Sequence, residues 1–354
     1  MASVSDIISN LPDSILCHIL RFLPTKQAVA TSILSRRWKS VWSLVPCFDF
    51  YVDEMISPGL NFANIMSRFW ALRNVNHLHK FRLQWINDCD VIHVDTCVQA
   101  AISRGVVEFD LHIEPEIGPY HLPSKLFNSK TLVRLVLRGQ IVLNFPPTIF
   151  VLPSLKILVL SLQPEDNSLI LLSSCPVLQH LSLSLENYYD FKIILPTLKT
   201  LKLTMLNAVG YKLEINAPVL NHITLFGTVG KVVFLENPSS IVEAVVFVFV
   251  ASNQTPDFQD NGNRLCEFLR ALNNIKYLEL LGETTKCLCN ASNFDPPMFH
   301  NLLFLQLEGS CVSHLLPLLL QRAPDLELLT FRKGRRMSYT FLNLFFKGQE
   351  YYRA

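Results

Sequence analysis

One three-position apolar pattern recurs eleven times along this 354-residue chain and constrains its fold more than any other feature. It occupies positions 1, 4 and 6 of a short segment: Leu78, Phe81, Leu83; Val106, Phe109, Leu111; Leu132, Leu135, Leu137; Leu155, Leu158, Leu160. It continues through Leu178, Leu181, Leu183; Leu198, Leu201, Leu203; Leu220, Ile223, Leu225; and Val242, Val245, Phe247. Three more units follow at Ile275, Leu278, Leu280; Leu302, Leu305, Leu307; and Leu326, Leu329, Phe331. Successive first positions are 28, 26, 23, 23, 20, 22, 22, 33, 27 and 24 residues apart. All but one of these steps fall within the 20 to 29 residues of a leucine-rich repeat. Of the chain's 59 leucines, 24 occupy these positions, so part of the leucine excess is a period.

Positions 4 and 6 share one side of a strand, so both point into a core while positions 3, 5 and 7 face outward. One such strand cannot bury that core alone; neighbouring units must stack and pair their strands in parallel. The expected fold is α/β: a short helical head followed by a curved leucine-rich-repeat solenoid with a parallel sheet on its concave face. Prolines 153, 176, 196, 218 and 324 stand two residues before position 1, where they end the preceding return segment. The single 33-residue step implies an insertion at about 249–264, a solvated loop followed by a helix at about 265–272. Outward residues form the candidate recognition face: His180, Ser182, Thr200, Lys202, His222, Phe226, Tyr277, Glu279, Phe304 and Gln306.

Composition excludes several classes. Charged residues make up 17% and the formal net charge is +2, so neither disorder nor a strong non-specific attraction to nucleic acid is expected. The first 30 residues lack a basic segment leading into a continuous apolar run, and no stretch is apolar enough to span a bilayer. Nine cysteines without framework spacing fit a reducing compartment, cytoplasmic or nuclear.

Residues 6–50 have a different character. In LPDSILCHILRFLP, Pro12 suits a first helical position, Asp13 favours the positive helix end, and Ile15, Leu16, Ile19, Leu20 and Leu23 form one stripe that Pro24 ends. A second helix is expected at 25–34 and a third at 35–44, with Trp38, Val41 and Trp42 on one side. Three such short helices cannot bury all their apolar surface unaided. The order Leu11-Pro12-Asp13, Leu23-Pro24 and ATSILSRRWKSVW closely resembles the F-box. That resemblance implies docking onto a Skp-type adaptor of an SCF ubiquitin ligase through Leu11, Pro12, Ile15, Leu16, Ile19, Leu23, Pro24, Leu34 and Trp38.

No motif carries catalysis. Cys89, His93 and Cys97 fall on one helical face near His77 and His79, but lack a CxxC or HxxxH partner, so no metal and no cofactor is expected. Cys287-Leu288-Cys289 on a strand or loop would aim its thiols apart. GTVGKV at 227–232 is too short for a phosphate loop, and DFQDNGN at 257–263 has Gln259 and Phe268 where a calcium loop needs ligands. The run Arg332-Lys333-Gly334-Arg335-Arg336 suits a solvated end better than an import signal.

LLSSCPVLQHLSL, FLRALNNIKYLEL and LLPLLLQRAPDLELLTF, with the head, resemble plant F-box/leucine-rich-repeat proteins of the FBD type. The organisation implied is F-box 1–50, linker helix 51–77, solenoid 78–332, and an atypical tail 333–354 in place of the FBD segment. The implied function is a non-catalytic substrate receptor with an adaptor on one side and an unknown target protein on the other. The alternative is a stand-alone interaction scaffold. A hormone-type small-molecule receptor would need a basic pocket, and Arg134, Arg138 and Lys202 are too dispersed to make one.

Overall fold

The computed structural model describes residues 8, 10–52, 62–73, 75–162, 169–186, 190–206, 210–249, 258–309 and 311–332. It contains nine α-helices and seventeen strands among these residues, in two compact units. The atypical tail, most of the basic run and residues 250–257 of the insertion lie outside the described residues.

The first unit begins with the head: α1 (Asp13–Leu20), α2 (Thr25–Ala30) and α3 (Trp38–Val41). Pro12 and Pro24 each stand just before a helix, at φ −57° and −53°. Pro24 thus starts α2, whereas the stripe reading made it the stop of α1; α1 ends earlier, at Leu20. Leu16, Leu20, Trp38, Val41 and Trp42 make the head's core.

The sheet begins sooner than the repeat pattern suggested. Strand β1 (Cys47–Val52) pairs in parallel with β2 (Lys80–Cys89), setting Phe48 beside Phe81 and Phe50 beside Leu83. Val45, Phe48 and Phe50 therefore occupy positions 1, 4 and 6 of a further unit, and all three are buried. Only Pro46 separates Val45 from the strand, so the head runs straight into the first repeat. Helix α4 (Phe62–Leu72) lies where the linker helix was expected and packs Phe69 and Trp70 on Phe48, with ring centroids 5.4 and 5.2 Å away.

Helix α5 (Val91–Ser103) is capped by Asp90, whose carboxylate accepts from the Ile92 N–H. It leads to β3 (Glu108–Pro115), the short β4 (Tyr120–Leu122), β5 (Arg134–Gly139), β6 (Ile141–Leu143) and β7 (Ile157–Leu162). Then come α6 (Ile170–Ser173), β8 (His180–Glu186), β9 (Phe191–Ile194) and β10 (Thr200–Leu206). The main sheet of this unit runs β1-β2-β3-β5-β7-β8-β10, all parallel, while β4 and β6 pair among the return segments.

Strands β11 (Lys212–Asn216), β12 (His222–Gly227), β13 (Lys231–Phe234) and β14 (Glu243–Val248) precede helix α7 (Phe258–Ala271). After it come β15 (Tyr277–Gly282), α8 (Thr284–Cys289), β16 (Phe304–Glu308), α9 (Val312–Gln321) and β17 (Leu328–Arg332). The second unit's sheet runs β12-β14-β15-β16-β17, again parallel.

The backbone repeats with the sequence. A turn precedes position 1, with Leu155, Leu178, Leu198, Leu220, Leu302 and Leu326 each donating to the carbonyl three residues back. The N–H groups of positions 2 and 3 then share the position-2 carbonyl of the preceding unit, as Gln179 and His180 share that of Lys156. Four units end on a glycine at position 8 in the left-handed region: Gly139, Gly227, Gly282 and Gly309. A Cβ on Gly139 would overlap the Ile113 carbonyl oxygen of the neighbouring unit. Glycine is the residue that takes this left-handed backbone and close approach without a Cβ clash.

Three expectations are corrected. At the unit assigned to Val242, Val245 and Phe247, register pairs Ala244 with Ile223 and Val246 with Leu225. The inward set is therefore Ile241, Ala244 and Val246, and Val245 and Phe247 face outward. The run IVEAVVFVF is apolar except at Glu243, so from Ala244 on it offers periodicity no contrast with which to choose between the two faces. The expected loop before residue 265 is helical from Phe258, which places the DFQDNGN calcium-loop likeness largely on α7. Gly262 lets that helix approach the Cys287 carbonyl on α8 closely, and Cys287-Leu288-Cys289 is the last turn of that helix, not a strand.

Candidate functional site: the head surface and the outward strand face

The head separates its apolar residues into two groups. Leu16 and Trp38 are buried in its own core, so their expected role as adaptor contacts is corrected to a structural one. Ile15, Ile19 and Leu34 stand exposed, Pro12 and Pro24 flank them in the open, and Leu11 and Leu23 are half-buried. Two residues that sequence reasoning passed over join the exposed set: Phe22 at 73% and Ile33 at 86% exposure. Ile33 falls in a 3₁₀ turn after α2, off the helical stripe, and only a surface map identifies it.

Arg37 fixes the entry to α1. Its Nε and Nη2 donate to Asp13 Oδ1 at 2.8 and 2.6 Å, and Nη2 also donates to the Leu11 carbonyl oxygen. One guanidinium thereby joins the Ser-Arg-Arg-Trp run to the Leu-Pro-Asp start. The head is tied to the sheet where Asp49 N–H donates to Thr25 Oγ1 at 2.8 Å. Arg73, buried and stacked over Phe69 at 4.8 Å, donates from Nη2 to the Val45 carbonyl and to the Cys47 carbonyl at 2.9 Å. Burial, opposed by Cys47 and reinforced by Arg104, pulls this guanidinium down to about 10.

The outward face of the first unit opens on a charge ladder. Lys80 donates to Asp49 at 2.7 Å, and Asp110 accepts from Arg82 at 3.1 Å and from Arg138 at 3.2 Å. Further along, Thr200 pairs in register with His180 and Lys202 with Ser182; His180 is exposed and the other three are half-buried. Two strands separate Arg134 and Arg138 on β5 from Lys202 on β10, and Arg138 is already paired, so these three do not gather into a basic pocket.

In the second unit His222 lies 3.3 Å from Glu243. Phe226 stacks on the outward-facing Phe247 at 4.6 Å and, with Leu281, forms a buried cluster against Val245 and Phe249. Tyr277 and Phe304 are register partners with ring centroids 6.4 Å apart, and Glu279 pairs with Gln306 behind them.

Nothing among the described residues gathers three His, Cys, Asp or Glu side chains around a metal. Of the proposed cluster, Cys97 is buried in α5, His93 lies 2.8 Å from Asp90, and Cys89's side chain is outside the described set. Burial raises the thiols of Cys97, Cys175 and Cys287 to about 11, 12 and 12, which keeps them protonated at neutral pH. No helix among the described residues is long and apolar enough to cross a membrane.

Residues 8–50 match the F-box domain, and residues 94–244 match the leucine-rich repeats of the FBD-associated F-box protein At5g56370. The chain is 32% identical over 353 residues to the F-box/LRR-repeat protein At4g14096 of Arabidopsis thaliana, with 94% of this chain and 74% of that protein covered. It belongs to the F-box/LRR-repeat family. Its similarity to the FBD-associated F-box protein At1g66310 of the same plant is 31%, covering 92% of this chain and 76% of that one. The F-box/LRR-repeat protein At4g14103 is 31% identical, with 92% and 91% covered. F-box/LRR proteins are generally SCF substrate adaptors and typically non-catalytic, and an F-box implies a Skp-type adaptor as partner.

Proposed function

We propose that this F-box/LRR protein is a non-catalytic substrate receptor of an SCF-type E3 ubiquitin ligase. The head holds the Skp-type adaptor, and through it the cullin and RING subunits; the outward strand face holds a target protein. Acceleration of ubiquitin transfer then comes from proximity, a raised effective concentration of target lysines near a charged E2. The observation that carries this reading is the exposed group Ile15, Ile19, Phe22, Ile33 and Leu34 within the F-box match. Five exposed large apolar side chains on a three-helix head form the kind of patch that marks a protein interface.

The test is calorimetric titration of the full chain with a purified plant Skp-type adaptor. Tight one-to-one binding is expected, with Ile15→Asp and Ile19→Asp each weakening it at least tenfold. No measurable heat or co-elution defeats the reading. The head also covers the first sheet edge, where α2 packs on β1, and this favours a second reading as a capped, stand-alone interaction scaffold. That reading expects no adaptor in an immunoprecipitate. The same receptor role suits a cytoplasmic or nuclear setting, and proximity labelling with the proteasome blocked is the route to the target.

A further inference from the structure

Helices α8 and α9 are the return segments of successive repeats, and two cysteines meet where they adjoin. Cys289 is the last residue of α8 and Cys311 the N-cap of α9. The Cys289 thiol donates to the Cys311 carbonyl oxygen at 3.3 Å and also shares a hydrogen bond with the Cys311 thiol. Both residues are partly exposed, whereas Cys97, Cys175 and Cys287 are at most 1% exposed. At about 100° per helical residue, the two thiols of Cys287-Leu288-Cys289 diverge, one into the core and the other toward α9. The approach is braced beside both sulfurs. Buried Thr285 on α8 donates from Oγ1 to the Glu308 carbonyl at 2.8 Å, and Gly309, with its φ in the left-handed region, lies so near that a Cβ there would overlap the Thr285 hydroxyl.

We propose that Cys289 and Cys311 form a redox-modification site, at which a hydroperoxide joins the two thiols in a disulfide that staples α8 to α9. The first step takes place at Cys311. Its sulfur, as thiolate, attacks the O–O bond, gains one oxygen as a sulfenic acid, and releases the other as water. Burial and the neighbouring Cys311 push the Cys289 thiol up to about 11, so Cys289 keeps its proton at neutral pH and serves as the resolving thiol. Its sulfur then attacks the sulfenic sulfur; the S–S bond forms, and hydroxide leaves with the thiol proton as a second water. Two thiols give up two electrons and one hydrogen peroxide takes them. A dithiol reductant reverses the change by exchange. The staple closes a span of 22 residues, which stabilises mainly by restricting the unfolded chain. In a solenoid, where each repeat contacts only its neighbours, it holds two adjacent units together directly.

The experiment treats the reduced full-length chain with a slight excess of hydrogen peroxide, blocks remaining thiols with iodoacetamide, and maps the peptides by mass spectrometry. Trypsin releases residues 287–322 as one peptide holding Cys287, Cys289 and Cys311, and cleavage after Glu308 then divides it. The two halves should stay joined, lighter by two hydrogens, with the iodoacetamide label on Cys287, and should separate after dithiothreitol. The oxidised chain should melt several degrees above the reduced chain. Cys289→Ser and Cys311→Ser should melt like the reduced chain and show no rise with peroxide. The peptide map uses the unaltered chain, so it decides the matter even where a serine variant folds poorly. Halves that separate without reductant, a cross-link through Cys287, other cysteines oxidised as fast as this pair, or an oxidised chain that melts no higher overturns the proposal.

Discussion

Strand β1 belongs to the repeat sheet although it lies inside the segment that carries the F-box pattern, so removing the head must injure the repeats. Phe48 measures the effect. It is fully buried and contacts Phe50, Phe69, Trp70 and Phe81, at centroid distances of 6.0, 5.4, 5.2 and 5.2 Å. Truncating such a residue costs about 3–5 kcal/mol in transfer and cavity terms, and favourable ring pairs place it toward the upper end. Phe48→Ala should lower the stability of the full chain by about 4 kcal/mol in a urea titration. Two fragments sharpen the test. One beginning at residue 45 keeps β1 over Phe81 and should unfold cooperatively. One beginning at residue 53 leaves the β2 edge unpaired and Phe81 and Trp70 uncovered, and should melt far lower or aggregate. Equal midpoints for the two fragments would refute the assignment of β1 as a repeat strand, and would make the head a separable module.

Four further outcomes follow from the same contacts. Leu16→Ala should lower the melting temperature, at a cost of roughly 2–5 kcal/mol, because its side chain is in the core; Ile19→Ala should leave stability nearly unchanged while weakening adaptor binding, and calorimetry beside thermal melting separates the two. Arg37→Ala should cost only about 1 kcal/mol despite its hydrogen bonds, since both partners of the Asp13 ion pair are well exposed, and high salt should shrink that further in chemical denaturation. Arg73→Met strands the Val45 and Cys47 carbonyls without donors and should destabilise by roughly 2–4 kcal/mol, read by denaturant titration of the full chain. Gly139→Ala forces a side chain against the Ile113 carbonyl and should destabilise by more than about 1 kcal/mol; a neutral result in thermal melting would contradict the left-handed turn there.

What the sequence made legible follows the contrast between faces. Units such as Leu178, Leu181 and Leu183 alternate with His180, Ser182 and Ser184, and a two-residue period with polar partners leaves one register open. At 244–249 every residue is apolar, and register came instead from pairing with β12. Val45, Phe48 and Phe50 carried the right spacing but were claimed by the adjoining helical pattern. In the head, periodicity identified the apolar stripe but not which of its members the third helix covers: Leu16 turns inward under Val41 and Trp38, whereas Ile15 and Ile19 do not. Exposed Ile33 and Phe22 became visible only once the chain was folded, because exposure belongs to the tertiary arrangement and not to residue type.

Around Asp49, Lys80, Arg82, Asp110 and Arg138 the charges already answer one another, so an incoming charged group would have to break pairs before making its own. Such a surface can orient a partner but returns little net affinity for any particular charge. Neutralising Lys80 and Asp49 together should therefore alter the salt dependence of target capture more than its selectivity, read by capture across a salt series.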